Sequence, residues 1–318
     1  MSVLLGKTKN HASLGPGDFR PTIGQLVHIR CATEISQTLD QDGCCEGLPF
    51  MTEMIDMCGK TARILRWANN VCVQSDSVYF GALKDCVVLD IDRCSGNGHG
   101  QCQMGCALLW KTNWLAPSSQ TSAVDSDEAA QYLQSRLDSN SSSTENGLPI
   151  FQCQATQFGK IATSHTKIDA SRFRNEHDLN QISVAGLVTD FCSSVLAKAS
   201  GRSKGFAGPC KKTPVNPLNL KVGEQVRVKS KKEIVQTLDA SGKNRGLWFD
   251  PLMSRHCGEV LSVTRLVHRF IDERNGRLIK AKHPSIVLDD LHCNGRARHY
   301  CGRLLQFFWR EAWLQRVE

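Results

Sequence analysis

Hydrophobic and polar residues alternate along residues 24–30, and the same alternation returns along residues 222–229. A period of two is typical of a β-strand with one buried face. Short strands separated by Gly and Asp turns predict a small β-barrel-like module in each half of the chain. Two further strand-like runs follow in each half, at 62–66 and 86–90 and then at 259–265 and 285–289.

The pattern changes at the end of each half. Residues 104–115 and 303–316 lack the alternation and carry Leu, Trp and Lys at helical spacing. We therefore expect a C-terminal helix to close each module. Four residues of the first half are spaced four apart and would lie near one face of that helix: Cys102, Cys106, Trp110 and Trp114.

The two halves align without a gap when the chain is shifted by 199 positions. Self-similarity at a fixed offset indicates a duplicated module. The predicted fold class is therefore α+β, with tandem duplicated small β-barrel-like modules, each closed by a C-terminal helix, and a partly helical connector. Identical pairs include Gly24/Gly223, Phe50/Phe249, Met54/Met253, Trp110/Trp309 and Trp114/Trp313.

Composition divides the chain into six segments. The polar linker is rich in Ser, Asp and Asn, which bury too little apolar surface to fold alone, and it carries one predicted short helix over 127–137. The helical connector contains an amphipathic helix over 182–198. The segments are a flexible arm (1–20), a cysteine-rich module one (21–117), the polar linker (118–147), the helical connector (148–200), a second linker (201–218) and module two (219–318), which repeats module one.

Length and composition are those of a globular protein with two domains and a connector. The chain has 318 residues, of which 41% are hydrophobic and 22% are charged. It contains no apolar run of ~18 residues and no charged-then-apolar leader. We therefore expect a cytoplasmic protein that does not span a membrane.

The chain is basic, with a net charge of +8. Its basic residues gather at 211–212, 229–232 and 296–303. Two interpretations stay open. Such runs form solvated faces, which is the preferred interpretation, or a basic face that binds a polyanion or a protein partner.

The chain contains fifteen cysteines. Cytosolic thiols are kept reduced, which argues against a disulfide framework and favours metal ligation or redox chemistry for some of them. The repeat selects among them, since module two has only three cysteines and each aligns with one of the nine in module one. These pairs are Cys58/Cys257, Cys94/Cys293 and Cys102/Cys301. Five cysteines of module one align with other residue types and are assigned to packing: Cys31, Cys44, Cys45, Cys72 and Cys86.

Residues 94–106 form the stretch with the most chemistry. Cys94, Cys102 and Cys106 lie there among four glycines, which let a backbone bend closely around a bound centre. Two thiols four residues apart on a helix suit two ligands of one zinc ion or two corners of an iron–sulfur cluster. Cys58 and Cys153 are the alternative candidates for the fourth thiolate.

The spacing favours an iron–sulfur cluster over zinc. Structural zinc sites use close pairs of ligands, and only Cys102 and Cys106 form such a pair, whereas the ligands of clusters vary more in spacing. Buried structural thiols or a redox disulfide remain a third interpretation. His99 lies in the same loop, where an exposed histidine is the preferred interpretation and a ligand or proton-transfer role is the alternative.

Module two is the weaker candidate. Leu305 replaces Cys106 and Arg298 replaces His99, which leaves Cys257, Cys293 and Cys301. One of three nearby histidines, His256, His292 or His299, would complete a zinc site. The preferred interpretation is that this second site has decayed to a structural role.

Three stretches of the chain, 94–115, 153–156 (Cys-Gln-Ala-Thr) and 308–314 (Phe-Trp-Arg-Glu-Ala-Trp-Leu), carry a resemblance. They resemble a group of uncharacterised cysteine-rich bacterial proteins. Those proteins have a Cys-rich loop with Gly and His, a Phe-Trp-Lys-Glu-Ala-Trp-like segment and a later Cys-Gln-Ala-Thr. The resemblance implies that Cys153 is a candidate ligand, and it implies no activity. Leu305 of module two departs from its pattern.

These features lead to three hypotheses of function. The preferred one is a metal-binding protein with a cysteine-ligated centre in module one, acting as a redox or biosynthetic accessory protein. The second is a zinc-stabilised binding module for nucleic acid or a protein partner, in which the metal contributes folding energy only. The third is a thiol-dependent enzyme, which requires a cysteine of lowered pKa.

Overall fold

The computed structural model describes residues 19–74, 78–120, 127–164, 170–199, 205–296 and 298–317. It is a mixed α+β structure, 25% helical and 30% strand, with several small antiparallel sheets and one half-barrel. The predicted α+β class is therefore confirmed. Most of the predicted arm (1–20) and the first four residues of the predicted second linker lie outside the described residues.

Module one is built around a five-stranded antiparallel sheet with the strand order β8-β7-β4-β1-β9. The strands predicted from the alternation, at 24–30, 62–66 and 86–90, are confirmed as β1, β4 and β7. The elements in chain order are β1 (Leu26–Ile29), α1 (Ala32–Ser36), β2 (Cys44–Cys45), β3 (Leu48–Pro49), a 3₁₀ helix (Thr52–Met57), β4 (Thr61–Trp67), β5 (Asn70–Gln74), β6 (Val78–Ala82), β7 (Cys86–Leu89), β8 (Leu109–Lys111), a 3₁₀ helix (Thr112–Trp114) and β9 (Leu115–Pro117).

The alternation along β1 decides which side chains enter the core. Val27 and Ile29 are fully buried, whereas Leu26 is exposed. Val27 lies opposite Ala62 of β4 on one side and Pro117 of β9 on the other. β1 is therefore an inner strand, and its buried face forms part of the core of module one.

The segment between the modules contains helices that pack onto module one. The helix predicted over 127–137 is confirmed and extends to residue 140; its Leu133 and Leu137 are buried in the core of module one. The segment boundaries themselves remain predictions. The elements are α2 (Asp127–Asn140), β10 (Ser142–Glu145), β11 (Leu148–Phe151), α3 (Gln154–Ile161), β12 (Thr163–Ser164), α4 (Ala170–Asp178) and α5 (Val184–Ala199).

Module two has a four-stranded sheet with the order β17-β16-β13-β18. Its three predicted strands are confirmed, and most of its elements begin 199 residues after their counterparts in module one. The elements are β13 (Gln225–Val228), α6 (Lys231–Val235), β14 (Lys243–Asn244), β15 (Leu247–Trp248), a 3₁₀ helix (Pro251–His256), β16 (Val260–Ile271), β17 (Leu278–Leu288), a 3₁₀ helix (Glu311–Trp313) and β18 (Leu314–Arg316).

The predicted closing helices, 104–115 and 303–316, are wrong. Each module ends instead in an extended segment, a single 3₁₀ turn and a short strand that pairs with β1 or β13. Trp110 and Trp114 are both fully buried and meet the ring of Phe50 edge-on, at centroid distances of 6.0 and 5.1 Å. The 3₁₀ turn between them points both rings into the core, so a spacing of four arises without an α-helix.

Each module has a cysteine loop, residues 94–106 in module one and residues 293–305 in module two. A β-hairpin of each module covers the cysteine loop of the other. The backbone N–H of Ile271, at the end of β16, donates to the Sγ of Cys102 at 3.4 Å. Cys72 aligns with Ile271, and Cys301 aligns with Cys102. The equivalent hydrogen bond is present there, since the N–H of Cys72 donates to the Sγ of Cys301 at 3.2 Å. The two modules therefore contact each other reciprocally, and both cysteine loops lie at the interface between them.

Candidate metal centre

The cysteine loop of module one is closed by its own backbone. The N–H of Cys94 donates to the carbonyl of Cys106 at 2.9 Å, and the N–H of His99 donates to the carbonyl of Gly96 at 3.2 Å. Gly96 has a positive φ of 75°, and a Cβ at this position would overlap the carbonyl oxygen of Cys102. Only glycine is accommodated at this turn, which brings Cys94 and Cys102 to the same side of the loop.

Three potential metal ligands meet beside this loop. Glu53, Cys94 and His99 each offer a ligand atom, and these atoms lie within 4.8 Å of one another. The Sγ of Cys94 is 3.5 Å from His99 Nε2 and 3.9 Å from Glu53 Oε1. The backbone N–H of Gly98 holds the carboxylate in place by donating to Glu53 Oε1 at 3.2 Å.

Two buried polar atoms of this group lack a hydrogen-bond partner. Within the described part of the chain, neither His99 Nδ1 nor Glu53 Oε2 makes a hydrogen bond, although Nδ1 lies 3.2 Å from Glu53 Oε1. An unsatisfied buried polar group costs about 1–3 kcal/mol. A cation bound between the carboxylate and the thiol would offset this cost, so the residues present fit a metal ion.

Burial and charge act in opposite directions on Glu53. Burial raises the pKa of its carboxyl group, but the imidazole of His99 and the backbone N–H groups of Glu53 and Gly98 together lower the pKa below its ordinary value. The carboxylate is therefore ionised at neutral pH, as a metal ligand must be. The expected exposed position of His99 is wrong, because its side chain is only 2% exposed.

Four of the five cysteines predicted for the site of module one line a common cavity of about 40 Å³ that is partly open to solvent. They are Cys94, Cys102, Cys106 and Cys153. Cys153 reaches the cavity from the residue that precedes α3, and the other three come from the loop. His99 lines the same cavity, whereas Glu53 does not. Cys153, an alternative for the fourth thiolate, therefore lies beside the same cavity as the loop cysteines, and its role as a ligand stays a prediction.

The thiols of the cavity are neutral in the metal-free protein. Burial raises the pKa of Cys106 to about 12 and that of Cys153 to about 11. It also raises the pKa values of Cys94 and Cys102. A metal that binds these sulfurs must therefore displace their protons, which makes binding dependent on pH.

Cys58 does not line the cavity. It ends the 3₁₀ helix that carries Glu53, packs at the edge of the core, and its Sγ lies 3.9 Å from the carbonyl oxygen of Met54. The same 3₁₀ helix thus presents a carboxylate to the loop, and sequence reasoning missed it. Glu53 aligns with Leu252 when the chain is shifted by 199 positions, so a comparison of matching cysteines does not single out Glu53.

Module two contributes one wall of the cavity. Ile271, Glu273 and Arg303 line it, and Arg303 is only 3% exposed. The guanidinium group forms two bonds to the carboxylate of Glu273, Nη1 to Oε2 at 2.9 Å and Nη2 to Oε1 at 2.5 Å. The positive charge of Arg303 acts on Cys106, where it opposes the effect of burial on the pKa.

The predicted ligands of module two do not meet. Cys301 contacts Cys72, with an Sγ–Sγ distance of 3.3 Å, and this contact lowers the pKa of Cys301 to about 7 and raises the pKa of Cys72. Cys293 accepts from the N–H of Gly295, and Cys257 ends a 3₁₀ helix. The ring of His299 packs on Phe80 at 4.3 Å. In the described ranges, these four residues form no group of metal ligands.

The third basic run offers little unpaired charge. Arg296 pairs with Asp190 at 2.9 Å, and Arg298 pairs with Asp250 at 2.6 Å. Arg303, the third arginine described here, is buried against its glutamate partner. This run therefore stabilises contacts within the protein.

Comparison with known proteins gives no assignment. No protein-family model, curated protein or solved structure matches this chain. Among the described residues, no helix is both long and apolar enough to cross a membrane.

Proposed function

We propose that module one binds a single divalent transition-metal ion, zinc in preference, through Glu53, Cys94 and His99. The observation that carries this proposal is the approach of three different ligand types to within 4.8 Å, with buried polar atoms that lack hydrogen bonds. Carboxylate oxygen, thiolate sulfur and imidazole nitrogen are the three donor types that zinc takes. This mixed set reverses the preference for a cluster that the cysteine spacing alone suggested.

The proposed role is metal-dependent binding or activation of a small molecule. Three protein ligands leave a fourth position open, as in catalytic zinc sites. Cys94 and His99 line the cavity, so the open position would face it. Much of the remaining wall is apolar, including Met51, Leu108 and Phe158. A zinc ion there would lower the pKa of a bound water or polarise a substrate oxygen.

An iron–sulfur cluster is the second candidate, and one observation favours it. Cys94, Cys102, Cys106 and Cys153 line one cavity, and four thiolates are the usual ligand set of a cluster. Under this alternative the protein is a redox accessory protein. Glu53 and His99 would then act on the cluster only through hydrogen bonds and charge.

The other two hypotheses have less support. A binding module for polyanions needs a free basic face, and the paired arginines of the third basic run do not provide one. A thiol-dependent enzyme needs an accessible thiolate. Burial raises the pKa of the cavity thiols, and Cys301, whose pKa is lowered, does not line the cavity in which a substrate would bind.

Anaerobic purification, followed by metal analysis and a visible absorption spectrum, tests the proposal. We expect one equivalent of zinc and a colourless protein. Iron and sulfide with a visible absorption band would refute zinc and establish the cluster, and a protein that takes up neither metal would refute both. Glu53→Gln separates the candidates further, because it removes a zinc ligand and leaves all four thiols. Cys58→Ser and Cys257→Ser are matched controls that should retain the metal.

We also propose that the two modules arose by tandem duplication and face each other across an approximate two-fold axis. The common offset of 199 residues between their elements supports this. The reciprocal hydrogen bonds from Ile271 to Cys102 and from Cys72 to Cys301 support it independently. The metal ligands were then kept in one copy only.

A further inference from the structure

Two cysteines that are far apart in the sequence touch at the interface between the modules. Cys72 lies in β5 of module one, and Cys301 lies at the end of the cysteine loop of module two. They are 229 residues apart in the chain, yet their sulfur atoms are 3.3 Å apart. Both residues are buried, with 8% and 4% of their surfaces exposed.

The surrounding backbone fixes this contact. The N–H of Cys72 donates to the Sγ of Cys301 at 3.2 Å. One residue further along, the N–H of Gly302 donates to the carbonyl of Asn70 at 2.7 Å. A Cβ at Gly302 would lie 2.8 Å from the Cβ of Ala68, so the two chains are as close as glycine permits. The two sulfurs are therefore held together by main chain on both sides.

A buried cation completes the surroundings. Arg303 Nη1 donates to the carbonyl oxygen of Cys72 at 2.9 Å and lies 3.9 Å from its sulfur. Glu273 holds the guanidinium group in this position. A positive charge beside a thiol favours the thiolate, which is the form that reacts.

We propose that Cys72 and Cys301 are a redox-active dithiol that a small peroxide oxidises to a disulfide joining the two modules. A disulfide has an S–S length of about 2.05 Å. The sulfurs need to approach by little more than an ångström from their present separation. The proposal does not depend on a bound metal, since neither cysteine belongs to the Glu53–Cys94–His99 group.

The reaction takes place in two steps. The thiolate of one cysteine attacks an oxygen of the peroxide, the O–O bond breaks, and a sulfenic acid forms while hydroxide leaves and takes up the thiol proton as water. The second thiol then attacks the sulfenic sulfur; the S–S bond forms, the S–O bond breaks and a second water leaves. The two thiols lose two electrons in total, and the peroxide gains them.

Peptide mapping of the full-length protein tests the proposal, since trypsin isolates each cysteine. Cleavage after Arg66 and Lys84 releases residues 67–84, which contain Cys72 alone, and cleavage after Arg298 and Arg303 releases residues 299–303, which contain Cys301 alone. The protein is treated with hydrogen peroxide, quenched in acid, alkylated under denaturing conditions and digested without reductant. We expect a linked pair of these peptides, two hydrogens lighter than their sum, that disappears on reduction.

Recovery of both peptides in alkylated form, while other cysteines are oxidised, would overturn the proposal. A link from Cys301 to Cys293 or Cys257 would also overturn it. A link formed by oxidised glutathione but not by peroxide would refute the peroxide as oxidant. This mapping uses the unaltered protein and so does not depend on the folding of a variant.

Two variants and a chelator complete the design. Cys72→Ala should abolish the linked pair, whereas Cys86→Ala removes another buried thiol of module one, one that donates to the carbonyl of Lys84, and should leave the pair intact. Mapping is repeated after chelation of metal. A link that forms equally with and without metal supports the dithiol even if the zinc proposal fails.

Discussion

Replacement of Gly96 by alanine tests whether the closed loop builds the metal centre. A Cβ at Gly96 would overlap the carbonyl oxygen of Cys102 and lie 2.6 Å from its nitrogen, and both atoms belong to the main chain. The residue also has a positive φ of 75°, which costs a non-glycine residue about 1–2 kcal/mol. Overpacking adds ~1–3 kcal/mol. We therefore expect Gly96→Ala to lower the free energy of unfolding by about 2–5 kcal/mol and to abolish metal binding.

Gly59 provides a matched control for this experiment. It has the same φ of 75°, but a Cβ there would meet no atom within 4 Å. Gly59→Ala should therefore cost only the conformational part, about 1–2 kcal/mol, and should leave metal binding intact. Denaturant unfolding and metal analysis of both variants give the comparison. If Gly96→Ala is no less stable than Gly59→Ala and keeps its metal, the inference from loop geometry to the metal centre is refuted.

Three further predictions concern the module interface and the charges around the cavity. Glu273→Gln leaves the buried Arg303 without its carboxylate, so it should lower the free energy of unfolding by about 3–5 kcal/mol. The control Glu145→Gln removes an exposed ion pair and should lower it by less than about 1 kcal/mol. Equal losses in denaturant unfolding would contradict this prediction. Because the folded pKa of Glu53 is lowered, its contribution to the stability of metal-free protein is present above pH 4.5, the ordinary pKa, and is lost as pH falls through the folded value. Unfolding measured against pH should show this loss in the unaltered protein and not in Glu53→Gln. Ile271→Cys places a thiol opposite Cys102, so peroxide should link these two residues; no link would contradict the two-fold relation.

The strands and the cysteine loop could be predicted from the sequence because they depend on a local pattern of residues. Alternation along residues 24–30 reflects one buried face of β1, which the burial of Val27 and Ile29 confirms. The helix prediction for the two closing segments failed because their backbone hydrogen bonds go to distant strands, β1 and β13, rather than to residues four positions earlier. A spacing of four between tryptophans does not contain that information.

Part of the candidate site could be predicted from the sequence, since four of the cysteines singled out there line one cavity: Cys94, Cys102, Cys106 and Cys153. Glu53 could not be predicted, because a single glutamate among methionines has no distinctive spacing. The walls from module two were hidden as well. They depend on how two modules face each other, which no local pattern encodes.

The alignment of the modules is most informative where it fails. His99 aligns with Arg298, whose guanidinium pairs with Asp250 at 2.6 Å and lies over the ring of Trp248 at 5.2 Å. In module two, a side-chain cation thus takes the position that aligns with a histidine of the proposed metal site. Leu252 and Leu305 likewise replace Glu53 and Cys106.

The reverse exchange occurs in the hairpins, where module one has Cys72 and module two has Ile271. Matching the cysteines of the two aligned halves is therefore a poor guide to which side chains lie close together. Cys72 has no matching cysteine, yet its sulfur lies 3.3 Å from that of Cys301. Arg303 lines the cavity that contains Cys94 and His99 and also lies 3.9 Å from the sulfur of Cys72, so one buried cation adjoins both groups of residues.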